Sequence, residues 1–149
     1  MKIIQGIPQN KVTEVLDYTH HYFEHVMDAT NFYQYMRYLA NVNWDESILL
    51  VDDENNIKGA YIFGDNQINS MITAKDYKSL KGVEGVLLAV DESIRGRGWG
   101  NRLKDYPKTL GVDYIWGQQA KGLNNIKDWL KRRELINESG GVYITAEKF

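Results

Sequence analysis

At 149 residues, 43% hydrophobic and 26% charged, the chain is expected to form one cored domain over residues 1–149, and its composition excludes intrinsic disorder. The longest apolar runs, Ile48 to Val51 and Val86 to Val90, are too short for a membrane span or a secretory signal. With no cysteine, disulfides, thiolate zinc sites and a cysteine nucleophile are excluded, and a reducing, cytoplasmic setting is expected.

The first pattern along the chain is a helix. Val12, Val15, Leu16, Thr19, Tyr22, Phe23 and Val26 follow the 3, 4, 7 spacing of one helical face, with Asn10 as the expected N-cap. A second helix is expected after a Thr30 or Asn31 cap, with Phe32, Tyr35, Met36 and Leu39 inward. The period then changes. Ser47 to Val51 and Ile57 to Phe63 are β-rich runs joined by the turn-forming Asp52-Asp53-Glu54-Asn55-Asn56, a hairpin pattern. Residues 64–82 carry no clear period, and a strand end followed by a mobile loop is expected there.

Glu84 to Val90 is a short apolar run suited to a buried strand. It leads through Asp91-Glu92-Ser93-Ile94 into Arg95-Gly96-Arg97-Gly98-Trp99-Gly100, where a helix should begin with Leu103, Tyr106 and Leu110 inward. Pro107 lies inside that helix and predicts a kink or an early stop, since it removes a backbone donor at a cost of about 3 kcal/mol in a regular helix. Val112 to Trp116 predicts a strand, Asn124 to Arg133 a helix with Ile126, Trp129 and Leu130 on one face, and Val142 to Ala146 a closing strand. This order predicts an α/β or α+β class with a mixed sheet.

Charge is distributed unevenly. The net charge of −2 argues against a dedicated nucleic-acid binder. From Arg95 to Arg133, however, ten Lys or Arg face three acids, giving +7 against −9 for the remainder. A basic block in an acidic chain points to a local anionic ligand. The strand, glycine turn and helix of residues 84–110 supply a second reason. Glycines leave backbone amides unobstructed, a helix N-terminus carries about half a positive charge, and Arg95 and Arg97 add formal charge.

Two familiar phosphate loops do not fit. Asn101 and Arg102 follow Gly100 where a P-loop needs Lys and Ser or Thr, and Leu103 stands where the Rossmann fingerprint needs a third glycine. A single Arg-Gly-Arg-Gly run is also weak as an RNA-binding signal in an acidic chain. His21 and His25 are four apart with Glu24 between them, but their order, His-Tyr-Phe-Glu-His, is not the zinc-protease motif, and no metal is expected.

Arg95 to Gly100, directly after the strand Glu84 to Val90, resembles the central motif of the GNAT superfamily of N-acetyltransferases: Gln or Arg, two residues, Gly, one residue, Gly or Ala. The likeness extends over element order from residue 10 to 149. It implies a single GNAT-like domain, with a mixed, mostly antiparallel sheet flanked by about four helices, and acetyl-CoA as cosubstrate. By that resemblance the amides of Arg95, Gly96, Arg97, Gly98, Trp99 and Gly100 hold the coenzyme's diphosphate, and the backbone of Leu88, Ala89 and Val90 pairs with pantetheine as an added strand. The Leu88 amide stabilises the oxyanion, an effect of about 2.7–4 kcal/mol per donor in measured cases. Glu84 stands eleven residues before Arg95, where histone-acetyltransferase-like members carry the general base. Burial at the start of an apolar strand would raise its pKa and suit it to that task. Asn124 or Asn125 matches an asparagine beside the pantetheine. Lys131, with Lys121, Arg132 and Arg133, is placed to meet phosphates.

One departure from the family concerns its usual tyrosine general acid, seven residues after the asparagine. Lys131 or Arg132 stands there, leaving Tyr106, Tyr114 and Tyr143 as unranked substitutes. A thiol leaving group with a pKa of about 8.5 needs little protonation.

The resulting expectation is direct acetyl transfer to a primary amine of a small molecule or peptide. Nine acids against three bases in residues 1–55 favour a cationic amine. A degenerate acyl-CoA-binding domain and a tRNA-directed acetyltransferase toxin are the alternatives. No membrane partner is expected, and monomer and homodimer both remain open.

Overall fold

A computed structural model describes residues 1–23, 42–68, 74–123 and 126–149. The predicted second helix, His25, and both candidate asparagines, Asn124 and Asn125, lie outside these residues. The strands are β1 (Lys2–Gln5), β2 (Val42–Val51), β3 (Ile57–Gly64), β4 (Gly82–Val90), β5 (Tyr114–Ala120), β6 (Glu134–Ser139) and β7 (Val142–Lys148). The helices are α1 (Val12–Phe23), α2 (Ala74–Tyr77), α3 (Trp99–Asp105) and α4 (Ile126–Trp129). The strands form one mixed sheet in the order β1-β2-β3-β4-β5-β7-β6. Two units divide the chain, residues 1–64 with 86–106, and residues 65–85 with 107–149, so β4 runs through both.

In the first unit, Val15 of α1 packs with Leu49, Val51, Ala60, Ile62, Leu87 and Ala89 from three strands. The opposite side of the hairpin is covered too. A Cβ on Gly59 would lie 3.2 Å from Leu103 of α3 and equally close to Leu50 and to the carbonyl of Ala89. Burial on both faces explains why β2 and β3 read as continuous apolar runs rather than alternating ones. The hairpin turn is as predicted: Asp52 accepts from the amides of Glu54 and Asn56, each at 2.9 Å, and Asn55 adopts φ 65°. Strand β2 bulges between Asn43 and Ile48. The fully buried Ser47 pins the bulge, donating to the Asn43 carbonyl at 2.7 Å and accepting from the Phe63 amide at 3.0 Å.

Two sequence expectations change in this unit. Asn10 does not cap α1; it sits inside a 3-10 turn, Gln9–Lys11, entered from Pro8. Strand β1, unforeseen, pairs antiparallel with β2 from Lys2↔Val51 to Gln5↔Ile48. Helix α3 stops at Asp105, and a 3-10 turn, Tyr106–Thr109, takes over one residue before Pro107, the early stop that proline imposes.

In the second unit, β5 pairs parallel with β4 over three residue pairs, Gly82↔Tyr114, Val83↔Ile115 and Glu84↔Trp116. It pairs antiparallel with β7 over seven, from Tyr114↔Lys148 to Ala120↔Val142. Ile68, Tyr77, Tyr114, Trp116 and Ala146 form the core of this unit. Of the predicted helix from Asn124 to Arg133, the described residues hold the single turn α4 followed by turn and bend, and an unforeseen strand β6, paired with β7, comes after it. Leu130, expected inward, is 43% exposed. In its place Arg133 turns in: it is buried, with its guanidinium 4.0 Å from the Trp129 ring centre and 3.4 Å from the Thr145 hydroxyl. A guanidinium laid on an indole gains a cation–π attraction while its stem covers apolar surface.

Candidate active site

Strand β4 carries the candidate residues in chain order, and each unit holds one part of the set. In the first unit, Ala89 is buried while Leu88 and Val90 are half-buried. The Asp91 carboxylate then accepts from the Ser93 amide at 2.8 Å and starts a 3-10 turn, Glu92–Ile94, anchored by buried Ile94. The chain extends at Arg95 and turns through Gly96 at φ 79° and Gly98 at φ 83°. These left-handed conformations are easy only for glycine. A Cβ at Gly96, Gly98 or Gly100 would meet nothing within 4 Å. Arg95 and Arg97 are exposed, Arg95 lying 3.8 Å from Glu92. The Arg102 guanidinium stacks 4.1 Å over the Trp99 ring. The result is an open, positively charged turn with accessible backbone, the kind of surface that receives an anion.

The second unit holds the carboxylate. Glu84 is 3% exposed, and loss of water pushes its pKa up, opposed by a hydrogen bond from Asn66. The Asn66 amide nitrogen donates to Oε2 of Glu84 at 2.7 Å. The Asn66 main-chain carbonyl in turn accepts from the Trp116 indole at 2.8 Å. Next to it, the Gln67 side chain both donates to the Gly82 carbonyl at 2.8 Å and accepts from the Gly82 amide at 2.7 Å. The Ile68 amide donates to the Tyr114 hydroxyl at 3.0 Å. Residues 66–68 are thus stitched to the paired ends of β4 and β5 by one bond set after another. None of this was visible in the sequence, where the segment lacks periodicity; an Asn-Gln pair just after a strand was the only polar signal.

The remaining candidates are dispersed. Lys131 lies in the exposed turn after α4, 3.2 Å from Asp128. Lys121 reaches Glu138 at 3.2 Å and the ring of Tyr143 at 5.1 Å. Of the substitute tyrosines, Tyr106 donates to Gln5. Tyr114 is buried, and burial raises its pKa against the opposing Ile68 amide. Among the described residues, no three His, Asp or Glu side chains group as a metal site, and no helix is long and apolar enough to cross a membrane.

Comparison with known proteins separates sequence from architecture. No family model and no curated protein sequence matches the chain. Solved structures do. An acetyltransferase of the GNAT family from Staphylococcus aureus Mu50 superposes with a TM-score of 0.71 at 12% identity, over 99% of this chain and 98% of that one. The PaiA N-acetyltransferase of Thermoplasma acidophilum, in complex with coenzyme A, gives 0.65 at 8% identity over the whole of both chains. The fold is that of the GNAT acetyltransferases. A mosquito arylalkylamine N-acetyltransferase-like protein shares this GNAT fold at a TM-score of 0.69 and 13% identity, covering 99% of this chain and all of that one. Identities this low speak to architecture, so chemistry has to be argued from the residues themselves.

Proposed function

We propose that the protein is an acetyl-CoA-dependent N-acetyltransferase acting on a primary amine. The observation that carries this reading is a carboxylate buried on the same strand that runs, within a few residues, into an open basic glycine turn. The turn fits a diphosphate. Positive φ at two glycines and vacant space where three side chains would begin leave the amides from Gly96 to Gly100 able to approach one, the Arg95 amide being bonded to the Glu92 carbonyl at 3.3 Å, with the Arg95 and Arg97 side chains adding charge.

Acetyl-CoA, when bound, supplies an activated acyl thioester. Glu84 takes a proton from the acceptor's ammonium: the N–H bond breaks and an O–H bond forms on the carboxylate. A base with a raised pKa is better matched to that transfer near neutral pH. The Leu88 amide donates toward negative charge developing on the acyl oxygen, and Leu88 to Val90 offer backbone groups to the pantetheine arm. Asn124, Asn125 and Lys131 complete the proposed coenzyme contacts. The acidic N-terminal third, nine acids against three bases over residues 1–55, favours a cationic acceptor.

The test is coenzyme A binding by thermal shift, with thiol release measured across a panel of amines at several salt concentrations. Binding, release with cationic amines, and loss of both in Gly98→Val are expected. No thermal shift with millimolar coenzyme A would refute the reading.

A further inference from the structure

We propose that Asn66 is a positioning residue for Glu84: it occupies Oε2, leaving Oε1 as the proton-accepting oxygen, and the Trp116 indole holds Asn66 in place. The base role itself rests on the function proposed above; the positioning is argued from this chain's own bonds.

A carboxylate with both oxygens in bulk water has no preferred acceptor and no fixed rotamer. Glu84 differs on each count. It is buried, and its Oε2 takes the Asn66 amide hydrogen at 2.7 Å, while Oε1 takes no hydrogen bond from any described residue. The Asn66 donor is itself fixed at the main chain by Trp116, whose ladder partner on β4 is Glu84. Residue, donor and support therefore close a small ring: Glu84 to Asn66, Asn66 to Trp116, Trp116 back to Glu84 through the strand pairing. Gln67 locks the same segment onto Gly82 through two further bonds. Such a ring removes rotational freedom from the carboxylate before a substrate arrives, which is what preorganisation of a proton acceptor requires.

The bond to Oε2 also stabilises the ionised form, because an amide N–H donates to a carboxylate more strongly than to the neutral acid. Among the described residues of this unit, the neighbouring elements also carry the phenols of Tyr77 and Tyr114, the exposed Asp65, Asp113 before β5, Glu147 and Lys148 of β7, and the Arg133 guanidinium near Gly117 of β5. Among the described residues, only the Asn66 amide is hydrogen-bonded to the carboxylate, so its removal should register on Glu84 specifically.

The experiment is a titration of the apo protein with 13C-labelled glutamate carboxyls, followed by NMR, with Glu84→Gln used to assign the resonance. Asn66→Ala is expected to shift the Glu84 midpoint upward, weakening its acid dissociation about tenfold. Trp116→Phe, which keeps an aromatic ring of smaller size and loses the indole N–H, is expected to shift it in the same direction by a smaller amount, and Asn66→Ser to restore part of the change. An unmoved midpoint in folded Asn66→Ala, or in Trp116→Phe should Asn66→Ala fail to fold, overturns the proposal. Coenzyme A binding is measured in parallel. Its absence from the wild type would refute the proposed function, while the titration would still decide the positioning of Glu84.

Discussion

Replacing Gly82 by alanine tests how tightly the carboxylate end of β4 is built. An ideal Cβ there would lie 2.0 Å from Cζ of Tyr114 and within 2.5 Å of both adjacent ring carbons. The ring cannot swing aside at low cost. Tyr114 is 1% exposed, its hydroxyl accepts from the Ile68 amide at 3.0 Å, and its edge meets Tyr77 with ring centres 4.8 Å apart. Overpacking costs about 1–3 kcal/mol, and a buried amide stripped of its acceptor costs about 1–3 kcal/mol more. Gly82→Ala is therefore expected to lose about 2–6 kcal/mol in urea denaturation, a large share of the 5–15 kcal/mol typical of a domain. In a Tyr114→Leu background, where the ring is gone, the same change should cost less than about 1 kcal/mol, and the difference is the coupling between the two sites. A loss below about 1 kcal/mol in the wild-type background would refute the idea that this strand end depends on a bare backbone under the ring.

Three further outcomes follow from bonds already described. Ser47→Ala orphans the Phe63 amide in the β2 bulge and should cost about 1–3 kcal/mol, with faster hydrogen exchange at Phe63; a loss under about 0.5 kcal/mol would contradict the pinning role. Glu84→Gln should stabilise the protein at about pH 8 and give no advantage below about pH 4: a carboxyl whose native midpoint is raised costs stability once pH climbs above its unfolded value near 4.3, by about 1.4 kcal/mol per unit. Denaturation midpoints across that range check the sign, and a variant no more stable than wild type at alkaline pH would contradict the burial argument. Gly98→Val, forced into a left-handed conformation, should cost about 1–2 kcal/mol in folding and remove coenzyme A binding. Retained binding at wild-type affinity would show that the turn is not the diphosphate cradle.

The parts of the fold legible in the sequence are those whose signals are local. The hairpin of β2 and β3, the apolar β4, the glycine turn and the stop at Pro107 all announce themselves through composition or backbone chemistry within a few residues. Strand β1 does not, because four residues with one inward isoleucine carry no period, and its partner lies some 46 residues away, in β2. Strand β6 is hidden for a different reason. It is an edge strand with Leu135 exposed and Ile136 alone packed against the core, so its apolar residues make no alternating pattern, and pairing with β7 adds to what holds it. The overlong helix at 124–133 arose from Ile126, Trp129 and Leu130, whose spacing fits one turn as well as three. Arg133 is the buried residue there, stacked on Trp129, while Leu130 is exposed, which a hydrophobic pattern does not foretell. At the candidate site the motif-bearing residues were readable, whereas Asn66 was not. Its position is fixed by long-range bonds to Trp116 and Glu84, which leave no periodic trace.

The paired bonds between Gln67 and Gly82 have one more consequence. A side-chain carboxamide here satisfies both polar groups of a strand's first residue, as a neighbouring strand would, but at only one point along the chain. Sliding β4 against β5 by a single residue would turn Glu84 to the opposite side of the sheet, since side chains alternate. It would also bring the Val83 side chain under the Tyr114 ring, where even a Cβ on Gly82 would lie 2.0 Å from a ring carbon. Gln67 therefore acts as an index mark for the ladder, and the side of the sheet on which Glu84 stands, two residues further on, is inherited from that alignment.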